Sequence, residues 1–132
     1  AHEIGKINPI ALHLANKYWP GGLTILVNSR INDEKIGIRM PASETVKYLI
    51  ENLGSPIIGT SANFHGQKTP TSAAEINPRI VSLVDYVVHG KCEEGTESTV
   101  IDSTVTPMKI IRSGAVKIPC ASFYTPAYRE TK

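Results

Sequence analysis

A chain of 132 residues, 41% of them apolar and 20% charged, is sized for one domain around an ordinary core. A formal net charge of +2 sets aside a sequence built around nucleic-acid binding, while leaving room for an anionic partner. Cys92 and Cys120 are too few and too far apart for a disulfide framework or a zinc site, and no apolar run approaches the roughly 20 residues of a membrane span.

Pro9 opens a helical pattern whose apolar face carries Ile10, Leu12, Leu14, Ala15 and Tyr18, and Pro20-Gly21-Gly22 ends it. Leu23 to Val27 is rich in strand formers. From Lys35 to Met40 the pattern alternates, with Ile36, Ile38 and Met40 on one face and Lys35, Gly37 and Arg39 on the other. Ser43 is placed to cap a second helix bearing Val46, Leu49, Ile50 and Leu53, which Gly54 closes. Pro56 to Ile58 predicts a short buried strand running into Gly59-Thr-Ser-Ala-Asn63, followed by a loop from Phe64 to Thr71. A short helix is expected from Ser72 through Ile76, a strand from Val84 to Val88, and a loop from Gly90 to Gly95. Ser98 to Asp102 and Met108 to Arg112 predict two further strands. Strands interleaved with helices early and following one another late predict an α/β (α+β) fold, a mixed twisted open sheet with flanking helices.

The common phosphate and metal signatures, G-x-x-x-x-G-K-[ST], G-x-G-x-x-G, H-E-x-x-H and C-x-x-C, do not occur. What remains is a set of individually ambiguous signals. Ser61 and Asn63 can donate to phosphate or carboxylate oxygens, and their turn can expose backbone N–H groups; an ordinary self-capping turn has the same composition. Gly95-Thr-Glu-Ser-Thr-Val-Ile-Asp102 could bring Ser98 and Thr99 beside that turn. Arg39 and Arg112 carry donor forks that match carboxylate or phosphate, although most surface arginines serve solvation. Glu93, Glu94 and Glu97 read as a solvated loop, and no histidine is assigned a catalytic role.

In order along the chain, six stretches resemble the YrdC/Sua5 family: Lys17 to Leu26, Ile36 to Pro41, Gly59 to Asn63 with Gly66 and Thr69-Pro-Thr71, Val84 to Val88, Gly95 to Asp102, and Ile110 to Gly114. The resemblance runs from about Pro9 to Val116 and implies a partial YrdC-like domain over 1–116, with 117–132 an irregular tail or linker. It implies a threonylcarbamoyl-AMP synthase, which joins L-threonine, bicarbonate and ATP with release of pyrophosphate for the N6-threonylcarbamoyl modification of tRNA adenosine. It further implies that Arg39 and Thr99 serve threonine and that Lys35, Ser61, Asn63, Thr69, Ser98 and Arg112 serve the nucleotide. No catalytic nucleophile and no protein-held metal are expected, but Mg2+ is expected on the ATP phosphates. Expected partners are tRNA or double-stranded RNA and the tRNA threonylcarbamoyl-transfer machinery, in the cytoplasm and without a membrane. A non-catalytic RNA- or nucleotide-binding module and a related carbamoyl-transfer domain are the alternatives. The family's Pro-Thr-Asp-Thr-x-Tyr-Gly-Leu strand and Lys-x-Arg motif are not found, so the chain is expected to be a fragment lacking that side of the site.

Overall fold

A computed structural model describes residues 3–90, 92 and 95–119. The chain begins with a short strand, β1 (Gly5–Lys6), and a helix, α1 (Pro9–Tyr18), whose N-cap Asn8 accepts from Ala11 N–H at 2.8 Å. The strand β2 (Leu23–Ser29) follows, then β3 (Lys35–Ile38) and the helix α2 (Glu44–Leu53). Ser43 caps α2 by accepting from Val46 N–H, and Gly54 closes it at φ 64°, a left-handed conformation that glycine adopts without a Cβ penalty. A 3-10 turn (Ala73–Glu75), the short helix α3 (Pro78–Val81), and the strands β4 (Thr99–Asp102) and β5 (Lys109–Arg112) complete the order.

The architecture is the expected mixed open sheet, organised around β2. Ile25 pairs with Ile38 of β3 and with Ile101 of β4, and Asn28 pairs with Lys35 of β3 and with Lys6 of β1. β3 therefore holds one edge of β2, while β4 and β1 share the other, end to end. β4 runs parallel to β2, and the remaining pairs are antiparallel. Strand alternation divides β2 between two faces. Leu23, Ile25 and Val27 are buried with Ile101, Ile38 and Met108 against Ala11 and Leu14 of α1. The end of β4 is tied to the start of α1 where Asn8 Nδ2 donates to the Ser103 carbonyl at 2.7 Å.

The two isolated strands expected at Pro56 to Ile58 and Val84 to Val88 do not form. A strand exists through hydrogen bonds to a neighbour, and no neighbouring strand lies alongside these segments among the described residues. Their apolar side chains are correspondingly exposed, Ile58 fully and Tyr86 and Val88 by half or more. β1 and α3 are additions that the sequence did not signal: β1 has two residues and α3 one turn. Cys92 is a free, exposed thiol, while Cys120, Glu93, Glu94 and all but the first residues of the expected tail lie outside the described residues.

The core lies between α1 and β2, so Leu14→Ala is expected to cost about 2–5 kcal/mol, the range for truncating a buried leucine. Ile58→Ala should move stability by no more than about 0.5 kcal/mol. Urea unfolding of both variants checks the contrast.

Candidate functional site

The face of the sheet turned away from α1 carries the polar residues. Thr24 and Leu26 of β2 alternate onto it, as do Val100 and Asp102 of β4 and Lys35 and Gly37 of β3. Gly37 keeps that face flat at its middle, because a Cβ there would meet Thr24 Cγ2 at 3.1 Å and Leu26 Cδ2 at 3.4 Å.

At the end where β2 and β4 begin, five side chains form a chain of contacts. Thr24 Oγ1 and Ser98 Oγ lie 2.8 Å apart. Arg112 places its fork on Ser98, donating from Nε to the carbonyl at 3.0 Å and from Nη2 to Oγ at 3.1 Å. Its Nη1 lies 2.9 Å from Glu97 Oε2, and Thr69 Oγ1 donates to Glu97 Oε1 at 2.6 Å. Residues far apart in sequence are thereby joined, and Glu97 is the link between the 64–71 loop and the sheet. It is the residue that sequence reading missed. A carboxylate whose partners lie 28 residues upstream and 15 downstream carries no local signal.

Arg39 belongs to the same end. Its Nε donates to the Gly21 carbonyl at 2.8 Å, and the neighbouring Gly22 carbonyl accepts from Thr99 N–H at 2.9 Å. Asn63 shapes the loop that bears Thr69, donating from Nδ2 to the carbonyls of Phe64 at 3.1 Å and Gln67 at 2.8 Å. Its Oδ1 is buried and accepts no hydrogen bond among the described residues. Ser61 is exposed on the approach to that loop. Glu75 fastens the far side of the loop: its carboxylate accepts from Thr71 N–H and Oγ1, and these bonds lower its pKa.

Two expected site residues are placed differently. Thr99 is buried on the core side, where its hydroxyl donates to the Val116 carbonyl at 2.6 Å and accepts from Gly114 N–H at 2.9 Å and Val116 N–H at 3.1 Å. It fixes the turn that follows Arg112 rather than presenting a hydroxyl to the open face. Lys35 sits at the opposite end of that face. Asn28, its partner on β2, is four residues from Thr24, about 13 Å at 3.3 Å per residue. There Lys35 Nζ pairs with Asp102 Oδ2 at 2.8 Å, and Thr104 donates to Oδ1 from its N–H at 2.9 Å and its hydroxyl at 2.6 Å. Burial opposes ionisation of Asp102, but the bonds from Lys35 and Thr104 outweigh it and hold the carboxyl below its ordinary range. The cluster also lies where the parallel strands start, whereas ligands in open α/β sheets usually sit at their carboxyl ends.

Known proteins resemble this chain in sequence and in fold. The family model described as telomere recombination (Sua5, YciO and YrdC) matches residues 1–114. A threonylcarbamoyl-AMP synthase of Pyrococcus abyssi is 34% identical over 80% of this chain and 34% of its own length. Escherichia coli YciO, described as uncharacterized, is 30% identical over 82% of this chain and 57% of its own. Among solved structures, P. abyssi Sua5 complexed with L-threonine superposes with a TM-score of 0.77 at 34% identity, covering 84% of this chain and 36% of that one. E. coli YciO superposes at 0.75 and 26% identity, covering 86% and 60%. The chain thus spans between about a third and three fifths of the lengths of the curated relatives it matches.

Two outcomes follow from this geometry. The Asp102 pKa is lowered on folding, so its contribution to stability is complete above the unfolded value of 3.8 and is lost as the pH falls through the lowered value. Asp102→Asn should remove that part of the acid dependence, which unfolding scans from about pH 5 to about pH 2 measure. Gly114→Ala should disorder the Arg112 turn, since a Cβ there would collide with the Glu97 carbonyl and lie 2.7 Å from the Ser98 carbonyl carbon. Loss of Arg112 side-chain order by NMR, with the core melting transition retained, is the expected reading.

Proposed function

Because the chain belongs to the Sua5/YciO/YrdC family, we propose that it supplies the nucleotide-side part of a threonylcarbamoyl-AMP synthase. The reaction joins L-threonine and bicarbonate, with loss of water, as a carbamate whose oxygen attacks the α-phosphorus of ATP while pyrophosphate leaves. Its demand on the protein is to hold two anions close together and to neutralise charge as it develops. The observation that carries the reading is that Arg39 and Arg112 stand at the same end of one open sheet face, with the hydroxyls of Thr24, Ser98 and Thr69 between and beside them.

In this proposal Arg112, Ser98 and Thr69 meet the phosphates, and Arg39 meets the threonine carboxylate. Asn63 Oδ1, buried with no donor among the described residues, accepts from a nucleoside N–H or O–H. Ser61 lines the same approach. Thr99 contributes through the turn it fixes, and Lys35 through its pair with Asp102. A protein nucleophile is not needed, since the substrate carries its own. Mg2+ would arrive on the ATP phosphates. Among the described residues no three His, Cys, Asp or Glu side chains converge on a metal position, and a phosphate-borne Mg2+ does not need such a cage. The product serves the N6-threonylcarbamoyl modification of tRNA through the transfer machinery, in the cytoplasm. Among the described residues no helix is long and apolar enough to cross a membrane.

The test is pyrophosphate release in the longest natural polypeptide that contains this sequence. Release should require both threonine and bicarbonate. Arg39→Ala should raise the KM for threonine, and Arg112→Ala the KM for ATP, each by tenfold or more, from the roughly 1.5–3 kcal/mol of a charge-assisted hydrogen bond. ATP turnover indifferent to threonine, or no turnover at all, sinks the proposal.

A further inference from the structure

Glu97 receives two donors from two different segments. Thr69 Oγ1 approaches Oε1 from the 64–71 loop, and Arg112 Nη1 approaches Oε2 from the end of β5. A hydroxyl and a guanidinium converging on one carboxylate make a two-donor anion seat, and carboxylate and phosphate oxygens suit such donors alike. These are the same two side chains that the nucleotide reading gives to phosphate. We infer that the Glu97 carboxylate is a built-in occupant of this seat, which a phosphate group of the nucleotide displaces on binding; the inference rests on the nucleotide reading above.

Three features make the exchange feasible. The pair is well exposed, with 44% of the Arg112 side chain and 42% of the Glu97 side chain open to solvent, so its attraction is screened and modest. Arg112 keeps its position when Glu97 leaves, because Nε and Nη2 remain on Ser98. The Glu97 backbone is held separately, its carbonyl accepting from Ala115 N–H at 2.9 Å, so only the side chain has to swing away. Until the ligand arrives, the carboxylate satisfies the Thr69 hydroxyl and draws the 64–71 loop onto the sheet. The seat is kept assembled, at the cost of a competitor inside it.

A residue that only braced Thr69 and Arg112 would weaken nucleotide binding when removed, whereas an internal competitor strengthens it. Calorimetric titration of ATP into the longest natural polypeptide that contains this sequence, and into its Glu97→Gln and Glu97→Ala variants, separates the two roles. Both variants should bind ATP about two- to fivefold more tightly, the scale of a half-exposed ion pair, and the gain should shrink as salt is raised. Glutamine keeps the length and an acceptor for Thr69, so it isolates the charge, and alanine provides the same reading if glutamine perturbs folding. ATP binding by the unsubstituted chain with equal or weaker binding by the variants overturns the inference and leaves the nucleotide reading intact. Absence of ATP binding in all three chains overturns both.

Discussion

Everything in this structure depends on the two-sidedness of β2. A strand hydrogen-bonded along both edges cannot rotate about its axis, so its period of two becomes a fixed division of labour. Leu23, Ile25 and Val27 commit one face to α1, and burial of that face sets the register of β3 and β4. Once the register is set, Thr24 stands beside Ser98 and Leu26 beside Gly37, with no freedom left to the polar side chains. The site is the reverse side of the core. Its precision is inherited from packing that it does not touch.

The parallel pairing of β2 with β4 has a further consequence. A parallel neighbour requires a long connection, and here that connection holds β3, α2 and everything from Gly54 to Ser98. The chain must leave the far end of β2 and return to the near one, delivering the 64–71 loop to the start of β4. That return explains why the cluster forms where the parallel strands begin. It also explains why Glu97, the last exposed residue before β4, is the one that meets the loop.

How much of this was legible in the sequence follows from the same division. The α1 pattern, the strands β2 to β5 and the Ser43 and Gly54 caps are local signals, written in alternation, helical spacing and turn residues, and they appear where expected. Pro56 to Ile58 has the composition of a strand, but composition gives no partner, and these residues stand exposed among the described ones. The site residues divide likewise. Arg39, Arg112 and Ser98 could be proposed from donor chemistry and from the family resemblance, but their meeting point depends on register. Thr99 stands one position of alternation from the open face, which turns its side chain to the core, and the resemblance alone does not give that orientation. Glu97 was set aside as solvated because both of its partners come from distant segments.

The two ion pairs of the open face show what burial decides. Lys35–Asp102 and Arg112–Glu97 have nearly equal lengths, 2.8 Å and 2.9 Å, and stand at opposite ends of the same sheet. Asp102 is buried and takes two further donors from Thr104, so removing its partner would strand a charge away from water. Opening that pair would therefore cost more than opening the pair at Glu97. Glu97 is wet, and its release exposes nothing that water cannot satisfy. Nearly equal distances thus carry different meanings: the two cations are almost equally exposed, and it is the burial of Asp102 against the exposure of Glu97 that sets the pairs apart.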